Sequence, residues 1–133
     1  MKNKYKPMLN RNKNLEIIKD ESGIKLRYTH KLQKLQKTMK NKGKTINTFY
    51  TSYLPAEIIQ YLGLTEPCIY FSEVEGEVYI TRREPVYTDS KMIKIQKTNN
   101  FSIPRSIFKE VDGFKVVVLT LNLSNDSLTI HLE

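Results

Sequence analysis

The chain has 133 residues, 39% of them hydrophobic and 27% charged, which suits one compact domain plus an additional segment and excludes two full domains. No apolar run approaches the roughly 18 residues of a membrane span, and the opening MKNKYKPMLNRNKN has no apolar core of a signal peptide, so neither is expected. The formal charge of +8 is uneven: residues 1–44 hold 14 basic against 3 acidic side chains, whereas residues 45–133 hold 8 against 11.

A basic third on a mildly acidic remainder points to a polyanionic partner, nucleic acid ahead of an anionic membrane surface. The plain alternative is a solvated, lysine-rich tail. Cys68 is the one cysteine, so no internal disulfide forms, and a reducing, cytoplasmic setting is expected. His30 and His131 lie far apart in sequence and give no metal-ligand cluster.

Residues 1–13 are polar and basic, without core-forming pattern. In residues 14–29, Ile24, Leu26 and Tyr28 alternate with Lys25, Arg27 and Thr29, and Asp20–Gly23 is turn material, so a β-hairpin is expected. Over residues 30–42 the period changes. Leu32, Leu35 and Met39 recur at helical spacing among Lys31, Lys34, Lys37 and Lys40, which predicts a short basic amphipathic helix stopped at Gly43, or a linker that becomes helical on binding.

From residue 44 the chain repeats itself. With Pro55 aligned on Pro104, Leu54 falls on Ile103, Ile58 on Ile107, and Leu62 on Val111. Cys68 and Ile69 fall on Val117 and Val118 at the same separation, and one residue inserted in the last turn brings Ile80 onto Ile130. Each copy predicts a strand ending at apolar-Pro, with proline at the first helical position, where its missing N–H costs nothing. A short helix follows (burying Ile58, Ile59 and Leu62, or Ile107, Phe108 and Val111), then a strand (Cys68–Glu73; Lys115–Asn122), a tight turn (Glu75-Gly76; Asn125-Asp126) and a closing strand (Glu77–Arg82; Ser127–Leu132). A copy of about 40 residues cannot bury its own core, so the two must pack together. The expected organisation is an extension over residues 1–43, repeats over 44–84 and 91–133, and a connection over 85–90.

The words YLPAEIIQYLGL with EGEVYI, and FSIPRSIFKEVDG with NDSLTI, resemble the AbrB/MazE-type swapped-hairpin DNA-binding domain over everything after residue 43. Two units in one chain resemble the tandem arrangement of MraZ proteins. The resemblance implies a mainly β fold with short helices, in which the two repeats interleave into one small swapped-hairpin β-barrel that binds DNA. The family's Gly-Arg before the proline region is replaced here by Tyr50-Thr51 and Asn99-Asn100, and the Asp-x-x-x-Arg signature of MraZ proteins does not occur. The basic residues left to hold DNA are Lys91, Lys94 and Lys97 on the second copy's first strand, with Arg105 and Lys109 after its proline. Lys31, Lys34, Lys37, Lys40, Lys42 and Lys44 lead into the first copy. Lysine is a point charge where arginine is a bidentate fork, so phosphate-led, salt-sensitive binding is expected. Asn99 and Asn100 could read adenine edges, though an Asn-Asn pair more often makes a turn.

Three function classes follow. The first is a DNA-binding transcriptional or plasmid/phage-type regulator, with RNA or single-stranded DNA as a variant, since Tyr50, Tyr53, Tyr61, Tyr70, Tyr79 and Tyr87 could stack on bases. Tyrosines in half-buried strands are the commoner case. The second is a protein-interaction module of antitoxin or adaptor type on the same fold, disfavoured because the sequence ends inside its last expected strand. The third, an enzyme, lacks a phosphate loop, a nucleophile elbow or a carboxylate pair, and Cys68 falls at an apolar strand position. The expected partner is double-stranded DNA, with a homodimer or a protein partner as alternatives; no membrane, small-molecule substrate, cofactor or metal is expected.

Overall fold

The computed structural model describes residues 15–38, 46–63, 68–109 and 111–133. Within them the chain is mainly β. Its strands are β1 (Leu15–Asp20), β2 (Gly23–Lys31), β3 (Gln33–Thr38), β4 (Ile46–Tyr53), β5 (Cys68–Val74), β6 (Glu77–Thr81), β7 (Ser90–Lys94), β8 (Asn100–Ser102), β9 (Val116–Asn122) and β10 (Ser127–Leu132). The α-helix α1 spans Ala56–Leu62, and a 3-10 turn spans Val111–Gly113. One sheet runs β1-β2-β9-β10-β6-β5-β7 and a smaller one β3-β4-β8, with every pairing antiparallel.

The expected β1–β2 hairpin forms, with a loop of Glu21 and Ser22 between the paired Asp20 and Gly23. Asp20 Oδ1 accepts the Ser22 N–H at 2.8 Å. The Ser124 hydroxyl donates to the Ser22 carbonyl at 2.8 Å and fastens this turn to the one between β9 and β10. Gly23 sits at φ +118°, and a Cβ there would lie 1.6 Å from Ser124 Oγ, so the position demands glycine twice over.

Residues 33–38 form β3, not the amphipathic helix expected over 30–42. The chain leaves β2 at Lys31, buries Leu32, and continues almost at once as a strand along β4, with Leu35 opposite Phe49 and Lys34 opposite Tyr50. The N–H of Leu32 donates to the Lys115 carbonyl at 2.9 Å. The three-residue spacing of Leu32 and Leu35 mimicked a helix face. The open hydrogen-bonding edge of β4, which no local pattern reveals, outweighs that weak preference.

The two copies meet across an approximate two-fold relation. In the β4–β8 pairing Ser52 faces Phe101, which occupy the same place in the two copies, and Thr51 and Tyr53 face Ser102 and Asn100. Just beyond, the Leu54 N–H donates to the Asn99 carbonyl (2.9 Å), and its counterpart Ile103 donates to Tyr50 (2.7 Å). The β6–β10 pairing is likewise centred on the equivalent pair Tyr79 and Thr129.

The strands before the final turns correct the sequence alignment. The β5–β6 loop holds two residues, between paired Val74 and Glu77, and the β9–β10 loop holds four, between Asn122 and Ser127. Buried Ile69 and Phe71 therefore correspond to Val117 and Leu119, not to Val118 and Thr120. One residue of slip exchanges the two faces of a strand, so the earlier alignment put an inward side chain on an outward one. Glu75 and Gly76, at φ +52° and +84°, make the two-residue turn of the primed type that suits strand twist.

Both prolines open a helical turn in the same way. Pro55 O accepts the N–H groups of Ile58 and Ile59 (3.0 and 3.2 Å), and Pro104 O those of Ile107 and Phe108 (3.1 and 3.0 Å). Pro55 itself stands one place before the first helical residue, rather than at it. Only the first copy propagates, through Ala56, Glu57, Gln60 and Leu62, to a C-cap at Gly63. In the second copy the expected helix is reduced to that single turn and the 3-10 turn at Val111. Ser106 and Val111 are poorer helix formers than Glu57 and Leu62, the residues they match.

The extension is part of the core. Strand β2 pairs with β9 from Lys25–Asn122 to Lys31–Val116, placing Tyr28, almost fully buried, opposite Leu119. It covers the edge of β9 much as β7 covers that of β5. Between the sheets lie Leu54, Ile58, Ile69, Phe71, Phe101 and Leu119, all buried, with the Phe71 and Phe101 rings 5.7 Å apart.

Candidate nucleic-acid interface

Tyr50 points from β4 into the protein and is 4% exposed. Directly opposite on β3, Lys34 lies on the same face, and its Nζ stands 5.9 Å from the Tyr50 ring centroid. Arg105, delivered by the turn that follows Pro104, places its guanidinium carbon 6.0 Å from the same centroid. Two cations from distant parts of the chain thus gather at one ring, each contact worth about 0.5–1 kcal/mol at an exposed site. Asp112 in the 3-10 turn approaches Lys34 at 3.7 Å, an exposed pair of small strength, so the corner keeps a net positive charge.

The other expected contact residues are scattered. Lys31 is exposed at the end of β2, and Lys37 lies on β3 opposite Asn47. Lys40, Lys42 and Lys44 lie outside the described residues. Lys91 and Lys94 do not form one basic face: Lys91 is opposite inward Phe71, and Lys94 opposite Cys68, on the other side of β7. Three-residue spacing makes a stripe on a helix and opposite faces on a strand. Both sit on a strand paired on one side only among the described residues, where lysine also discourages edge-to-edge association.

Lys97 is exposed in the turn between β7 and β8. There the Asn99 N–H donates to the Gln96 carbonyl (2.9 Å) and the Gln96 N–H to the Asn100 carbonyl (2.8 Å). Asn99 holds φ +66°, the left-handed conformation that asparagine tolerates, and Asn100 Nδ2 donates to Thr98 Oγ1 at 2.9 Å. The pair makes the turn. Lys109 is exposed beyond the turn that carries Arg105.

No protein-family model, curated protein or solved structure matches the chain.

Reading the sequence passed over Arg82 and Arg83. They close β6 beside a groove of about 790 Å³ that also includes Tyr61, Gly63 and Asp126. Arg82 Nη1 donates to the Gly63 carbonyl at 3.3 Å, and the Tyr61 hydroxyl donates to Asp126 Oδ1, which raises the Tyr61 pKa. Two adjacent arginines at the end of the first copy's closing strand were the available signal. A second cavity of about 520 Å³ lies where Arg27, Thr120, Thr129 and Tyr79 stand in cross-strand register. Of its charged lining residues, Lys25 pairs with Asp20 and Arg27 with Glu16, while Glu77 accepts a hydrogen bond from the Tyr79 hydroxyl at 3.0 Å.

Of the tyrosines proposed to stack on bases, Tyr50 is buried, Tyr70 and Tyr79 are half-buried, and Tyr53, Tyr61 and Tyr87 are exposed. Cys68 is half-buried rather than in the core. His30 is 2% exposed, against the rings of Tyr28 and Tyr53, and burial lowers its pKa. Among the described residues no group of three His, Cys, Asp or Glu is placed to hold a metal, and no helix is long and apolar enough to cross a membrane.

Proposed function

We propose that this chain binds duplex DNA as a cytoplasmic transcriptional or plasmid/phage-type regulator, in the manner of the AbrB/MazE-type swapped-hairpin domains it resembles, and catalyses no reaction. The observation that carries this reading is the meeting of Lys34 and Arg105 at Tyr50. The buried ring holds both charged ends about 6 Å from one centroid, on side chains that are themselves exposed, where a phosphate can approach both. The resemblance enters as support for the ligand, and the corner as support for where it sits.

The test is fluorescence anisotropy on a labelled duplex between about 50 and 200 mM salt. Binding weakens steeply with salt, and Arg105→Gln or Lys34→Gln each reduces the slope of log affinity on log salt by about 1. A wild-type chain that leaves the duplex free at the low end of that range ends the proposal.

A second reading, a protein-binding module, draws on Val86 and Tyr87, 83% and 98% exposed just ahead of the edge strand β7. A stoichiometric protein retained through purification, and lost on Tyr87→Ser, would favour it.

A further inference from the structure

The approximate two-fold relation joins unlike ends. Rotation about it exchanges Tyr50 with Asn99, since their carbonyls accept the matched N–H groups of Ile103 and Leu54. By the spacing of the two prolines it exchanges Arg105 with Ala56, Ser106 with Glu57, and Lys109 with Gln60. Strand β3, which brings Lys34, pairs along β4, and β8 has no corresponding neighbour among the described residues. One end therefore offers Lys34, Arg105 and Lys109, offset by Asp112; the other offers Ala56, Glu57 and Gln60 in the matching places.

In a true two-fold dimer both ends carry the same side chains, and a palindromic site mirrors that symmetry. From these unlike ends we infer that the chain engages duplex DNA at the Arg105 end alone, so its target is a single, non-palindromic half-site. This rests on the DNA-binding reading above and narrows it. Glu57 at the opposite end repels phosphate, and among the described residues the matched positions there hold no cation, leaving Lys97 in the turn beside Asn99 as a single exposed charge against the three of the Arg105 end. The relation itself is fixed by backbone pairing, through Ser52 with Phe101 and Tyr79 with Thr129, so it does not depend on the side chains that break it.

The experiment places one negative charge at each end of the full chain and measures binding to a fluorescein-labelled duplex of mixed sequence at about 50 mM salt. Arg105→Glu lowers affinity tenfold or more, while Ala56→Glu, on an exposed first helical residue where an acidic side chain suits the helix, changes it less than twofold. Thermal unfolding of both variants establishes that each is folded, and Arg105→Gln, which adds no repulsion, repeats the loss in weaker form. Equal losses from Arg105→Glu and Ala56→Glu overturn the one-ended target and leave DNA binding standing. Loss from Ala56→Glu alone, or from neither, overturns it as well. Absence of binding by the wild-type chain removes the DNA reading and this inference together.

Discussion

The imidazole of His30 lies 4.1 Å, centroid to centroid, from the ring of Tyr53, and 6.2 Å from that of Tyr28 on its own strand. Neither of its nitrogens has a hydrogen-bond partner among the described residues. A neutral ring suits that setting and a charged one does not, which is why burial lowers the His30 pKa.

Stability should therefore depend on pH. Because the folded pKa is below the unfolded one, about 6.5, the contribution of neutral His30 is complete above that pH and drains away as pH falls toward the folded value. Thermal midpoints should drop as pH falls below about 6.5, and His30→Phe should flatten that drop. Asp20, whose carboxyl is held below its ordinary 3.8 chiefly by the Ser22 hydroxyl, sheds its contribution only at lower pH. A midpoint unchanged across the window in the wild type would refute the account.

Phe101 is the contact through which the short strand β8 reaches the larger sheet, at Phe71. Phe101→Ala should cost about 3–5 kcal/mol in urea unfolding, the range for losing a buried aromatic ring. A cost below about 1 kcal/mol would mean that the small sheet closes over the gap.

Gly23→Ala meets two obstacles at once, a positive φ and the Ser124 hydroxyl. Strain of this kind costs about 1–3 kcal/mol. Part should return in Gly23→Ala combined with Ser124→Gly, which frees the space and leaves the backbone strained. Ser124→Gly alone gives the cost of losing the bond to the Ser22 carbonyl, and a double variant whose cost equals the sum of the two singles would assign the Gly23→Ala loss wholly to φ.

Asn99→Gly should keep the fold and leave duplex binding within about twofold, because glycine adopts the same left-handed turn. Asn99→Ala should instead lower stability by about 1 kcal/mol. If Asn99→Gly abolished binding in a folded chain, the side chain would be reading DNA after all.

Where the sequence carried local, repeated signals, the elements were legible. The β1–β2 hairpin, α1 and the two C-terminal hairpins fall close to their expected bounds, because alternation, proline and turn residues act within a few positions. What failed was decided at a distance. Leu32 and Leu35 suggested a helix until the edge of β4 was available to pair, and the slip between Val117 and Val118 followed from a loop length that both alignments could absorb. At the candidate site, Lys34 and Arg105 were each visible as cations, but only the pairing of β3 with β4 and of β4 with β8 brings them to one tyrosine. Lys91, Lys94 and Lys97 were expected together on one strand, but three-residue spacing alternates the faces of a strand and Lys97 falls in the turn beyond it.

The pairings of β4 with β8 and of β6 with β10 lie within one polypeptide, joined through residues 82–89. Two separate chains would hold the same arrangement only above their dissociation constant, and dilution would dismantle core and binding corner together. Tethering replaces that dependence with an effective concentration on the order of millimolar, fixed by the connection. A cell holding a few molecules would thus keep the corner at Tyr50 as fully assembled as one holding thousands.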